Sequence, residues 1–327
     1  YKGKLYMKKG ITFLITIILI FSLLVIGISK INKQSQSEEK IKVIATLFPQ
    51  YDFAKQIGGD KVDVSLLLTP GTETHTYEPT PQDIINVNKA DLYIYTGKYM
   101  EPWSDKIANS ITSNTQVLDA SKNINLINEE QFEKEHDTID NNEEESDNSH
   151  HHEYDPHIWL NPQNAIGMVK NIEEELCNID PQNKEYYQKN AENYINQLKS
   201  LDTEIETTIK ESPKNKIAFG GTFAYAYFIQ RYNLQYVSAY DSCGENSEPS
   251  VTKVKEVIDY MKENNINVIF YQELSAGKIA DTISKETNAT KLVFHTIHNA
   301  SQEEINNGET YISLMQKNLQ NLKQALS

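Results

Sequence analysis

The chain has 327 residues, 39% of them hydrophobic and 24% charged, and a formal net charge of −15 at pH 7. That length allows two medium domains, each with a full-sized core. The acidity argues against a nucleic-acid partner, which would need Lys and Arg to replace the counterions on phosphate, and points to cations instead.

Taken in order, the first forty residues read as a targeting segment. The basic stretch MKKG from Met7 leads into Ile11 to Ile28, eighteen residues without a charge. A basic flank before an apolar core marks a secretory signal or an N-terminal membrane anchor, with Lys8 and Lys9 holding the N-terminus inside. The uncleaved anchor is the preferred reading, the cleaved signal the other. Residues 29–40 then form a polar tether, and the remaining chain lies outside the cytoplasm, tethered to the outer face of the membrane or secreted.

An α/β lobe is expected over residues 41–180. Lys42 to Leu47 is a strand, Pro49 opens a helix that stops at Gly58-Gly59, and KVDVSLLLTPG alternates like a second strand. Thr80 followed by Pro81 caps another helix, and ADLYIYTG is a third strand ending at Gly97. Strands alternating with helices imply a parallel sheet with helices on both faces. Residues 128–153 break the rhythm: from Glu129 to Asp155 there are twelve carboxylates and one lysine. This insertion is expected to be disordered.

Residues 181–213 read as one long rigid linking helix, about 45 Å at 1.5 Å per residue. A second α/β lobe, residues 214–327, repeats the outline of the first. The fold class is therefore α/β, two lobes joined by a single long helix. Cys177 and Cys243 read as separate thiols.

Ligands of open parallel sheets collect at the carboxyl ends of strands. His75 follows the second strand, His157 sits in DPHIWLNP, and His295 ends the last strand in KLVFHTIH. Imidazole suits Zn²⁺, and histidines in loops at one mouth of an α/β protein form a candidate metal site. Pro70, Pro79, Pro81, Pro156 and Pro162 stiffen the loops around His75 and His157, lowering the ordering cost of binding. Asp155, Glu78 or a backbone carbonyl could hold the non-ligating ring nitrogen.

TPGTETHTYEPTPQDI and DPHIWLNP resemble the two motifs of the substrate-binding proteins of zinc and manganese ABC importers, the cluster A-I metal-binding proteins. ENSEPS at 245–250 and YISLMQKNLQNL near the C-terminus are similar as well, and the resemblance runs from Ile41 to Leu326. It implies two lobes joined by a long helix, with a divalent metal held between them and passed to a membrane permease by a monomer. The acidic stretch HDTIDNNEEESDNSHHHE resembles the insertion of the zinc branch.

Carried over by the resemblance, His75 and His157 are the ligands of the N-terminal lobe. The third family position falls on Thr222, a poor ligand, and the fourth on His295. Glu273 is the candidate replacement for the lost ligand and Cys243 the alternative, with Asp241, His298 and water also open. His136, His150, His151 and His152 form an auxiliary metal-gathering loop. Zn²⁺ is favoured over Mn²⁺, which prefers carboxylate oxygen. A metal-stabilised surface adhesin is the alternative function. A zinc hydrolase with Glu273 as base is the other, although no HExxH helix occurs.

Overall fold

Short runs of β-branched and aromatic residues form two sheets. The computed structural model describes residues 39–72, 74–136, 153–240 and 249–327. β1 (Ile41–Ala45), β2 (Val62–Leu66), β3 (Leu92–Tyr95) and β4 (Gln116–Asp119) make one parallel sheet in the order β2-β1-β3-β4. β5 (Lys216–Phe219), β6 (Gln235–Ser238), β7 (Val268–Tyr271) and β8 (Thr290–Val293) repeat it as β6-β5-β7-β8. The expected two-lobed α/β architecture is present. β4 is an addition to it: this four-residue edge strand buries only Leu118, too little to show a period in sequence.

The helices are α1 (Phe48–Gly58), α2 (Pro81–Val87), α3 (Ser104–Ala108), α4 (Glu129–His136), α5 (Pro162–Ile179), α6 (Lys184–Glu211), α7 (Ala226–Tyr232), α8 (Val251–Glu263), α9 (Lys278–Thr287), α10 (Gln302–Asn306) and α11 (Tyr311–Ala325). α6 is the long helix, 28 residues, or about 42 Å. Its buried positions Tyr187, Ala191, Tyr194, Leu198, Leu201 and Ile205 recur every three or four residues and form one apolar stripe. Asp202 within that stripe ties it to the second lobe. Its carboxylate accepts from Arg231 Nη2 at 2.7 Å, Tyr232 Oη at 2.8 Å and Gln163 Nε2 at 2.7 Å. Burial opposes its charge, but these donors prevail and hold its pKa below the usual carboxylate range.

One apolar cluster runs through both lobes, from Val43 of β1 through Trp159, Tyr225 and Phe294 to Leu326. A smaller one lies under α8 and α9, around Ala218, Val257, Met261 and Ile283. α11 crosses back to the first lobe, where Tyr311 N–H donates to Asp52 Oδ2 at 3.0 Å and Tyr311 Oη to the Trp159 carbonyl at 2.6 Å.

α4 corrects the expectation of disorder throughout 128–153. Phe132 is buried and stacks on Phe223 and Tyr236 of the second lobe, with ring centroids 6.2 and 6.0 Å apart. The start of the helix is held as well by the Asn128–Tyr154 bridge and by Asn128 Oδ1, which accepts the Gln131 N–H at 3.0 Å. His150, His151, His152, Asp241 and Cys243 lie outside the described residues, as does the candidate anchor at 11–28. Among the described residues no helix is long and apolar enough to cross a membrane. Cys177 is a buried free thiol whose pKa burial pushes up.

Beneath the ends of β1 and β3 lies a buried carboxyl, Glu101. It accepts the Thr96 N–H at 3.1 and 3.2 Å and the Thr46 hydroxyl, yet burial raises its pKa to about 8. The fold therefore holds this proton more tightly than the unfolded chain does. The resulting stability is complete below the ordinary glutamate value of 4.5 and is lost as pH rises towards about 8. Glu101→Gln should flatten that loss, raising the urea midpoint at pH 8 relative to wild type while leaving it nearly unchanged at pH 4.5. An equal shift at both pH values would mean that Glu101 is not the titrating group.

Candidate metal centre

The loop after β2 is built to hold His75 in place. Trp103 Nε1–H donates to the Thr74 carbonyl at 2.8 Å, and Tyr77 packs edge-on against the same indole at 5.1 Å. Tyr77 Oη in turn donates to Asp83 Oδ2 at 2.7 Å. Thr80 caps α2 through Asp83, so the loop runs directly into a fixed helix start. His75 is half-buried, and its ring lies 5.9 Å from that of His157, edge to face.

His157 is almost fully buried and oriented by Asp155. Asp155 Oδ1 accepts the His157 backbone N–H at 2.8 Å and lies 3.2 Å from Nδ1. A carboxylate there favours the proton on Nδ1 and leaves the Nε2 lone pair for a metal. Asp155 is buried beside the ring, while Glu78 is exposed and does not serve it. Downstream, Trp159 packs on His157 at 5.6 Å, and Asn161 caps α5.

The second lobe presents its groups on the turn after β8. His295 is buried, its Nδ1 accepting the Ile297 N–H at 2.9 Å. Glu273 Oε1 lies 3.5 Å from that Nδ1, and Glu304 Oε1 lies 3.4 Å from Nε2. Burial disfavours charge on His295, but the carboxylates of Glu273 and Glu304 outweigh it and raise its pKa, while Glu304 is pushed down to about 2, chiefly by His295. Glu273 itself accepts the Thr296 N–H at 2.8 Å and the Thr296 hydroxyl. Ile297, a buried β-branched residue, sits at φ +63°. That conformation costs of the order of 1–3 kcal/mol and turns the chain sharply between His295 and His298.

A polar cleft of about 570 Å³ lies beside this turn, with Gly71 and Thr72 on one side and Thr222, Glu273, His298 and Asn299 on the other. The turn is tied to both histidine-bearing loops of the first lobe. Asn299 Nδ2 donates to the Thr72 carbonyl at 3.2 Å, and Trp159 Nε1 to the Thr296 carbonyl at 2.8 Å. Thr222 is occupied by Gln272, whose Nε2 donates to its carbonyl at 2.9 Å and whose Oε1 accepts its hydroxyl at 2.5 Å.

The structure thus pairs His75 with His157, and places His295 and His298 on the turn after β8, with Glu273, just past β7, bonded to that turn through Thr296. Among the described residues no group of three or more His, Cys, Asp or Glu side chains is gathered closely enough to hold an ion. His136 stacks on Phe132 at 4.4 Å at the end of α4. His298 carries a weak signal in sequence, its three-residue spacing from His295 in HTIH.

The family described as "ZnuA: Zinc-uptake complex component A periplasmic" matches residues 43–325. The high-affinity zinc uptake system protein ZnuA of Bacillus subtilis is 40% identical over 289 residues, 88% of each chain. The zinc-binding lipoprotein AdcA of Streptococcus pneumoniae is 33% identical over 309 residues, which are 94% of this chain but 60% of that protein. The crystal structure of the Zn(II)-bound ZnuA-like domain of Streptococcus pneumoniae AdcA matches with a TM-score of 0.72 at 30% identity, covering 88% of this chain and 99% of that one. On the extent of these matches and the shared two-lobed fold, the chain belongs to the ZnuA family of zinc-uptake binding components, which are transport proteins and not enzymes.

Proposed function

We propose that the chain captures Zn²⁺ between its lobes outside the cytoplasm, held to the membrane by its N-terminal segment, and delivers it to the permease of an ABC importer. The observation that carries this is the His75–His157 pair, with Asp155 setting the tautomer of the buried ring. Two adjacent imidazoles on stiffened loops suit Zn²⁺ better than Mn²⁺, which favours oxygen donors.

The donor from the second lobe is drawn from His295, Glu273 and His298. His298 is favoured because it lines the cleft, with its Nδ1 against the Thr296 hydroxyl, whereas His295 does not line it and both its ring nitrogens are taken up by Ile297, Glu273 and Glu304. Glu273 supports the turn through Thr296. Replacing His298 by Cys in a background with Cys177 and Cys243 changed to Ser should give Co²⁺-loaded protein a thiolate-to-metal charge-transfer band. His295→Cys in the same background should not. The opposite result would return the assignment to His295.

The reading as a whole is tested by metal analysis of the purified protein. One Zn²⁺ per chain should resist dialysis and excess Mn²⁺. Ready displacement by equimolar Mn²⁺, or no retained metal, would overturn it.

A further inference from the structure

The Asp155–His157 segment belongs to the first lobe, yet the second lobe holds it in position. Tyr227 on α7 reaches across the seam. Its hydroxyl accepts the Ile127 N–H at 3.0 Å and donates to the Asp155 carbonyl at 2.9 Å. The same two residues are bonded to each other, Asp155 N–H to the Ile127 carbonyl at 2.9 Å. One phenol therefore closes a three-membered hydrogen-bond ring at the base of the acidic insertion. Tyr227 is 2% exposed, and burial drives its pKa far above the phenol range, so it stays a neutral donor and acceptor. In a water-excluded setting such bonds are hard to replace. The stacking of Phe132 on Phe223 and Tyr236 marks the same seam independently.

We infer that Tyr227 is a positioning residue for metal capture: from the opposite lobe it fixes Asp155, and through Asp155 the ring of His157. The inference rests on the reading of His157 as a zinc donor. It makes the grip on the ion depend on contact between the lobes at α7, so that parting this seam loosens a ligand on the other lobe. Sequence alone offers no hint of it, since Ile127 and Tyr227 stand 100 positions apart.

Tyr227→Phe keeps the ring and removes the bonds. Tyr232→Phe is the control: it lies on the same helix and loses a buried hydroxyl bonded to Asp202, not to the metal segment. In full-length protein, competition with a chromophoric chelator should show Zn²⁺ affinity falling about 10-fold or more in Tyr227→Phe, the range expected for groups that orient a ligand. The Co²⁺ absorption spectrum should shift as well. Tyr232→Phe should leave affinity and spectrum as in wild type, whatever it costs in stability. Unchanged zinc affinity in Tyr227→Phe, or equal weakening in both variants, overturns the inference. His157→Ala separates the two levels: if it still binds Zn²⁺ tightly, the assignment of His157 fails and the inference falls with it, whereas lost binding in His157→Ala beside unchanged affinity in Tyr227→Phe overturns the role of Tyr227 alone.

Discussion

Replacing His157 with Ala should weaken Zn²⁺ binding by well over about 100-fold, because groups that merely orient a ligand already account for 10- to 100-fold. The loss is direct, since the ring is the donor, and it is compounded by what stays behind. Asp155 remains almost fully buried, still accepting the backbone N–H of residue 157 but no longer facing an imidazole. His75→Ala should act in the same direction, as its ring is the neighbour of His157 at 5.9 Å. Thermal denaturation offers an independent reading. Zinc at one hundred times its Kd stabilises a protein by about 2.7 kcal/mol, a shift that both variants should lack at the same zinc concentration. A variant retaining wild-type affinity within a few-fold would remove that histidine from the site.

The second large effect concerns stability. Trp159→Ala should destabilise the protein by about 3–5 kcal/mol, the usual loss for deleting a fully buried aromatic side chain. Trp159 is 0% exposed and is one of the largest buried side chains in the shared core. Its Nε1–H is also the donor to the Thr296 carbonyl, which would be left without that bond. Trp159→Phe separates the contributions: it retains much of the packing and loses the hydrogen bond, so its cost should be nearer 1–3 kcal/mol. Urea unfolding followed by circular dichroism measures both, with an unchanged slope showing that the native state is preserved. If Trp159→Ala lost less than the Phe variant, the indole would not be the keystone that its burial indicates.

Much of this architecture could be read from the chain because it rests on local signals. Thr80-Pro81 announces a helix start, the 3.6-residue stripe of α6 announces a long buried face, and His75 and His157 sit in dense motifs. What could not be read depends on distant partners. β4 has one buried residue, and α4 packs through Phe132 on Phe223 and Tyr236, about a hundred positions away. The groups around the second lobe's turn were hardest. His295 and His298 differ in sequence by three positions, and the left-handed Ile297 between them leaves His295 buried beside Glu273 and Glu304 and puts His298 at the cleft, where its Nδ1 lies 4.0 Å from Glu273.

The return of α11 bears on how the molecule comes into being. Asp52 is buried in the first lobe, and one of its hydrogen-bond donors is the backbone of Tyr311, 259 positions later. Tyr311 also closes over Trp159 and packs on Phe53 at 5.1 Å. Without the last helix Asp52 would keep Tyr194 and Gln56 but lose its backbone donor, and the faces of Phe53 and Trp159 would be bare. Completing the packing of the first lobe therefore requires the C-terminal helix, so closure of a loop spanning most of the chain precedes it.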